Sequence, residues 1–466
     1  MSFKKIDPQD IVELKRLAGS ENVLIDLEIG EEYSHDEMTE YGSATPEVLI
    51  FARNADQVSD VLKYANAKHI SVTTRGAGTG LCGACVPLNG GIVLSTQKMK
   101  KIIELDTHTM TAVVEPGVLL MELAAAAENI NCLYAPDPGE KSATVGGNVN
   151  TNAGGMRAIK YGVTRDYVKG MEVVLASGQI LQLGGRITKN SSGYSLKDLI
   201  IGSEGTLGVI TRLELKLLPK PKKMVSLLIP FNELDVCLNC VWRVMNLPDV
   251  CTTLEFMEKE VLDDAQEYLG KDFPNREYPA YLIVSYSANS NEQLQPMIDA
   301  AANLALENGA IDVFVSDTTE RQALLWNARG AFLEAIKNST SRMDECDVVV
   351  PTTKIAEFIT FVKKLSVDHQ VRIRSFGHAG DGNLHVYVCK DGMPDDQWEI
   401  TVNACMDAMY AKALEFKGQV SGEHGIGHAK KKYLRQSIGE TQIELMRQIK
   451  HTFDPNGILN PNKIID

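Results

Sequence analysis

Residues 75–83 read Arg75-Gly-Ala-Gly-Thr-Gly-Leu-Cys-Gly83, and the fold turns on how this stretch is understood. From Gly78 to Gly83 it matches G-x-G-x-x-G, the spacing of a dinucleotide-binding turn. Such a turn opens a helix, because the helix N-terminus receives the pyrophosphate. Here Pro87 and the turn Asn89-Gly90-Gly91 follow instead, and Ile92-Val-Leu-Ser95 reads as a strand. Upstream, residues 56–68 place Val58, Val61, Leu62 and Ala65 on one helical face behind an Asp56 cap, and residues 70–74 read as another strand. The helix context is missing, so nicotinamide dinucleotide binding of the Rossmann type is disfavoured. A glycine loop between strands still lets several backbone N–H groups approach a pyrophosphate. It equally suits a tight connection with no ligand.

Two further segments resemble this loop. Residues 136–155, PDPGEKSATVGGNVNTNAGG, interleave glycine with Ser, Thr and Asn. They make a poor core segment and a good backbone surface for a polar ligand. Gly202-Ser-Glu-Gly-Thr-Leu-Gly208 then runs into the strand-like VITRLELKLLP. Three such loops before residue 210 imply one long ligand lying across a single domain. Pro219-Lys-Pro221-Lys-Lys reads as a linker, and from 222 to about 420 amphipathic helices alternate with strands such as 281–288, as in a second α+β domain.

With 466 residues the chain has room for two large domains or three of about 150 residues. Its net charge of −14 argues against nucleic acid or an anionic membrane surface as partner. No uncharged apolar run approaches the roughly 18 residues of a membrane span, and the start, MSFKKIDPQD, has no apolar signal core, so a cytoplasmic location is expected. Nine cysteines, an odd number scattered along the chain, fit reduced thiols. The pairs Cys82/Cys85 and Cys237/Cys240 stand without the further pair that a zinc site needs.

Four of the nine histidines fall between 378 and 428. In Gly377-His-Ala-Gly-Asp-Gly-Asn-Leu-His385, strand-like runs on either side of Asp381-Gly382 set His378 and His385 facing each other across a hairpin mouth. That arrangement suits two imidazoles on one divalent metal. Downstream, Ser421-Gly-Glu423-His424-Gly-Ile-Gly427 offers a carboxylate and a third imidazole. Two His and one carboxylate make an open catalytic site that zinc, iron or manganese would suit, with an adjacent His as base. His428, in HAKKKY, reads as a residue of a solvated helix face.

Taken together, RGAGTGLCG, GGNVNTNAGG, GSEGTLGVIT, GHAGDGNLHV and SGEHGIGHAKK resemble the FAD-linked oxidases of the vanillyl-alcohol-oxidase type, over roughly residues 47–466. Within that family the motifs are similar to those of the D-lactate, glycolate and D-2-hydroxyglutarate dehydrogenases. Some lactate-oxidising members act as catalytic subunits beside an electron-transferring flavoprotein. The resemblance implies an α+β chain in two parts: an FAD-binding domain over 1–220, an antiparallel-sheet-plus-helices cap over 221–420, and a tail over 421–466 that returns to the FAD domain.

Carried onto these positions, the resemblance implies that Arg75, Gly76, Ala77, Gly78, Thr79 and Gly80, with Ser142, Thr144, Gly146, Gly147, Asn150, Ala153, Gly154 and Gly155, line the FAD. Gly205, Ile210 and Asn460 would lie nearby. His378, His385 and Glu423 would hold one divalent metal. His424 would be the catalytic base, with Arg329, after Trp326, on the substrate carboxylate and Asn383 also in contact with substrate. Thr79 stands where some relatives carry a flavin-linking histidine, so noncovalent FAD is expected. Glu345 stands where the hydroxyglutarate enzymes would place a lysine for a second carboxylate, which favours a monocarboxylate such as lactate; glycolate and D-2-hydroxyglutarate are the alternative substrates. The expected activity is oxidation of a D-2-hydroxy acid, with electrons leaving to a protein such as an electron-transferring flavoprotein. Rival readings are a metal-dependent hydrolase and a noncatalytic subunit of a flavoprotein complex.

Overall fold

In the computed structural model, which describes residues 2–271 and 277–466, Ala55–Lys68 forms a helix whose Val58, Val61, Leu62 and Ala65 are fully buried. Its cap is Asn54 rather than Asp56. The Asn54 side chain accepts the Gln57 N–H, one of the donors that a helix start leaves unpaired, and Asp56 sits in the first turn, where its charge suits the helix dipole. Strands Val72–Arg75 and Ile92–Ser95 run parallel, and residues 76–91 between them hold no helix.

The chain forms two compact units. The first comprises the chain up to Gly154, Val163–Lys220 and Glu423–Asp466. Its four-stranded sheet has the order Val23–Ile25, Val48–Phe51, Ile92–Ser95, Val72–Arg75. The exposed edge at Val72 is covered by the returning C-terminal tail: Val72 N–H donates to Ile458 O at 2.8 Å, and Asn460 N–H donates to Val72 O at 2.7 Å. Ile458 and Leu459 thereby enter the core that Val58, Val61, Leu62 and Val72 build. A five-stranded antiparallel sheet follows, in the order Ile102–Asp106, Thr111–Val114, Val209–Lys216, Val168–Val174, Ile180–Gly184. The second glycine-rich segment is not all loop. Val145–Thr151 is a short helix whose cap Thr144 accepts the Gly147 N–H, because Val145 and Val149 have a core to enter.

The second unit comprises Gly155–Gly162 and Pro221–Gly422, so Gly155 belongs here rather than with the other glycines of its motif. One antiparallel sheet of seven strands dominates it, in the order Phe314–Ser316, Lys223–Phe231, Ala280–Ala288, Thr253–Glu258, Arg372–His378, Asn383–Cys389, Met343–Val349. Cys237 and Cys240 are buried on the helix Leu234–Met245, and none of the nine cysteines forms a disulfide. No helix among the described residues is long and apolar enough to cross a membrane.

The hairpin joining the last long strands sets the register His378↔Asn383 and Phe376↔His385. With side chains alternating along each strand, His378 and His385 therefore lie diagonally on one face. Its turn depends on Gly382, at φ +82°, where an added Cβ would fall 2.0 Å from Val350 O. Gly382→Ala is expected to cost about 1–3 kcal/mol in backbone strain alone, read as a lowered urea midpoint with an unchanged m-value.

Candidate active site

The sheet face that carries the two histidines also carries carboxylates that only burial makes conspicuous. His378 Nδ1 lies 2.8 and 3.0 Å from the two oxygens of Glu255, which is fully buried one residue before the strand position paired with Gly377. His385 Nδ1 lies 3.1 Å from Glu345 Oε1, which also accepts the Tyr387 O–H at 2.8 Å. Burial, and then Glu345, push the Tyr387 phenol far above its usual range, so it stays a donor. The two imidazole centroids are 5.3 Å apart with ring planes at 89°. With Nδ1 donating to a carboxylate, Nε2 carries the ring's lone pair, the orientation that metal-binding histidines take. The arrangement fits a divalent cation in its donor chemistry.

Arg329, on the helix Thr319–Gly330, is buried rather than a surface residue. Its Nε and Nη2 donate to Glu255 Oε2 at 2.9 and 2.6 Å, and its guanidinium lies 4.7 Å from the Phe376 ring centroid. Burial pushes the Glu255 carboxyl up, yet His378 and Arg329 outweigh it and hold it below the usual range. The Nε and Nη2 edge of Arg329, the residue expected on the substrate carboxylate, is therefore directed at Glu255. Asn383 donates through Nδ2 to Asp347 Oδ1 at 2.7 Å and to Val348 O at 3.0 Å. The other Asp347 oxygen accepts from the Ser421 hydroxyl at 2.8 Å and the Gly422 N–H at 3.1 Å. Only glycine fits at 422, where a Cβ would lie 2.3 Å from Asn383 Nδ2. Glu423 is joined to this pinned residue by one peptide bond.

In the first unit the three glycine loops and the tail meet. A Cβ on Gly76 would fall 2.2 Å from Thr144 Oγ1. Gly205 N–H donates to Asn150 Oδ1 at 3.2 Å, and Asn460 Nδ2 donates to Ala84 O at 2.9 Å and Glu204 O at 2.7 Å. Gly154 lies against Glu423, with a Cβ there 2.7 Å from Oε2. Three buried polar atoms along these loops, Thr74 Oγ1, Ser203 Oγ and Asn460 Oδ1, have no partner among the described residues. Convergent loops with unpaired interior polar atoms fit an extended polar cofactor.

Other expected positions are placed differently. The Arg75 guanidinium donates to Glu32 O, His35 O and Cys85 Sγ, fastening the N-terminal segment, so only its backbone belongs to the loop surface. Ser142 is exposed and bonds to Glu140. Ile210 is buried in its strand, Gly146 packs on Pro116, and Gly80 O accepts the Glu37 N–H. Ala77, Gly78, Thr79 and Gly147 remain partly accessible along the loops, and Ala153 is buried. His428 is not on a solvated helix face: it precedes the helix Lys431–Phe453, and its ring fills the space where a Cβ on Gly83 would fall 2.3 Å from Nε2.

Sequence reasoning passed over Glu255 and Asp347 and gave Glu345 only a substrate-excluding role. Their signal was a carboxylate in an otherwise strand-like apolar run, TLEFME and DECDVVV, where burial demands a partner.

Two outcomes follow from these contacts. Glu255→Gln and Arg329→Met, each alone, leave an uncompensated interior charge and are expected to cost about 3–5 kcal/mol in denaturant unfolding, whereas the double variant costs less than their sum. Burial and the nearby Lys463 and Lys431 lower the His428 value from 6.5 to about 4. The folded value lies below the unfolded one, so the neutral ring's contribution is complete above the unfolded value and is lost as pH falls towards the folded one. His428→Asn should flatten the acid-side fall of Tm over that window relative to the parent chain.

Residues 46–184 match the FAD binding domain, and residues 220–464 match the FAD linked oxidases, C-terminal domain. A D-lactate dehydrogenase of Anaerostipes hadrus is 50% identical over 99% of this chain and 98% of its own length. The glycolate oxidase subunit GlcD of Bacillus subtilis is 35% identical over 93% and 91%. Among solved structures, p-cresol methylhydroxylase with substrate bound superposes with a TM-score of 0.83 at 18% identity, covering 100% of this chain and 99% of its own. A 4-ethylphenol oxidase from Gulosibacter chungangensis gives 0.79 at 18%, with the same coverage. The fold is thus the two-domain one of vanillyl-alcohol-oxidase-type flavoproteins, and the chain belongs to the FAD-linked oxidases.

Proposed function

We propose that this protein oxidises a D-2-hydroxy acid, D-lactate foremost, to the 2-oxo acid, releasing two electrons and two protons per turnover. The observation that carries the reading is the pair His378 and His385, each turned by its own buried carboxylate. The similarity to D-lactate dehydrogenases of Anaerostipes hadrus and Archaeoglobus fulgidus supports the substrate, and the glycolate and D-2-hydroxyglutarate enzymes among the relatives define the alternatives.

FAD, held noncovalently by the glycine loops, would supply the two-electron acceptor. A divalent metal on His378, His385 and Glu423 would supply Lewis acidity towards the hydroxyl. His424 takes the hydroxyl proton as general base. Arg329, with Nε and Nη2 facing Glu255, meets the substrate carboxylate through Nη1, as a single contact rather than a fork. Asn383, whose Nδ2 holds Asp347, offers substrate only its amide oxygen. The carboxylate Glu345, close to His385, disfavours a second anionic group on the substrate. Iron, zinc and manganese all suit this donor set, and an electron-transferring flavoprotein is the proposed recipient of the electrons.

An anaerobic absorbance spectrum of the reconstituted protein tests the reading. D-lactate should bleach the flavin band, L-lactate should not, and chelation should abolish the bleaching. His424→Ala should keep its flavin yet lose at least about 100-fold in kcat. Undiminished turnover in that variant would remove His424 from the mechanism.

A further inference from the structure

The mechanism leaves several interior carboxylates without a role, Asp36, Glu204, Glu258 and Asp454 among them. Glu204, in the third glycine loop, is buried and holds a left-handed backbone at φ +51°, uncommon for a residue with a side chain. Its two oxygens accept successive backbone N–H groups, Oε1 from Ile426 and Oε2 from Gly427, both at 2.7 Å. Its own backbone is fixed on both sides: the N–H donates to Asn150 O at 2.8 Å, and the carbonyl accepts Asn460 Nδ2 at 2.7 Å.

The loop that Glu204 grips is shaped to be gripped. Gly425 and Gly427 are both at positive φ; a Cβ on Gly425 would fall 2.6 Å from Glu204 Oε1, and one on Gly427 would fall 1.8 Å from Cys82 O. On the far side, Cys82 O accepts the His428 and Ala429 N–H groups, and Cys82 Sγ donates to Gly425 O. The backbone from 425 to 429 is therefore clamped between the third glycine loop and the first. His424 is the residue immediately before this clamp.

We infer that Glu204 is a positioning residue: by seating the Ile426 and Gly427 amides, it fixes the backbone that aims His424. The inference rests on the reading of His424 as base. Two hydrogen bonds from successive amides hold a stretch whose Gly425 and Gly427 present no side chain to pack. Burial pushes the Glu204 carboxyl up to about 7, opposed by those two N–H groups and by Lys463 and Lys430. The carboxylate is thus kept in the interior at an energetic cost that a purely space-filling role would not require.

The test compares Glu204→Leu, Glu204→Gln, Gly425→Ala and His424→Ala in the full-length, flavin-reconstituted chain. Bound flavin, kcat and KM for D-lactate, and hydrogen exchange at residues 425–427 are measured. Glu204→Leu removes both acceptors. It should lower kcat by about 100-fold, as expected for a misplaced catalytic group, with KM and flavin content little changed. Exchange at 425–427 should rise in the same variant. Glu204→Gln keeps one acceptor and should fall between Glu204→Leu and the parent. Should Glu204→Leu fail to fold, Gly425→Ala disturbs the same seat from the other side and should give the same kcat loss. A parental kcat in the Glu204 variants, or a loss that merely tracks lost flavin, overturns the inference. Full turnover in His424→Ala instead overturns the reading of the base and leaves the exchange result to judge the clamp.

Discussion

An ionised carboxylate cannot sit in a protein interior unless donors surround it, and this constraint organises the site more than any other. Glu255, Glu345, Asp347 and Glu204 are each buried, and each is engaged by specific donors: Arg329 and His378, His385 and Tyr387, Asn383 with Ser421 and Gly422, and the amides of Ile426 and Gly427. In each case the partner has a bearing on the proposed chemistry. The demand for pairing, which is a folding requirement, thereby becomes a means of orienting imidazoles and loops.

The two units bring different capacities to this task. An antiparallel sheet fixes side-chain direction by register, so Phe376↔His385 and His378↔Asn383 are enough to put both imidazoles on one face. Glycine loops fix backbone direction instead, and in the first unit they do so by contacts that a Cβ would forbid, at Gly76 against Thr144 and Gly427 against Cys82. The motif Ser421–Gly427 belongs to both regimes. Its first two residues are held by Asp347 in the sheet unit, and its last two by Glu204 in the loop unit. Glu423 and His424 lie between those two stretches in sequence.

The sequence alone was sufficient for whatever depends on local pattern. The period of Val58, Val61, Leu62 and Ala65 marks a helix whatever surrounds it, and a proline and a glycine turn after Gly83 exclude a helix there. The glycine turn that contains Asp381-Gly382, between apolar runs, marks the hairpin, whose four-residue loop 379–382 sets the histidine pair. The combination of glycine motifs, rather than any one of them, identified the family. Tertiary structure decided the rest, because partner choice depends on residues far apart in the chain. Asn54 rather than Asp56 caps its helix because only Asn54 reaches the Gln57 amide. Val145–Thr151 becomes helical among glycines because its valines find a core. Arg329 turns to Glu255, 74 residues away, and Glu204 to amides more than 220 residues away, contacts that no local spacing encodes. A buried charge takes whichever donor the fold brings near, and only the folded chain determines which one that is.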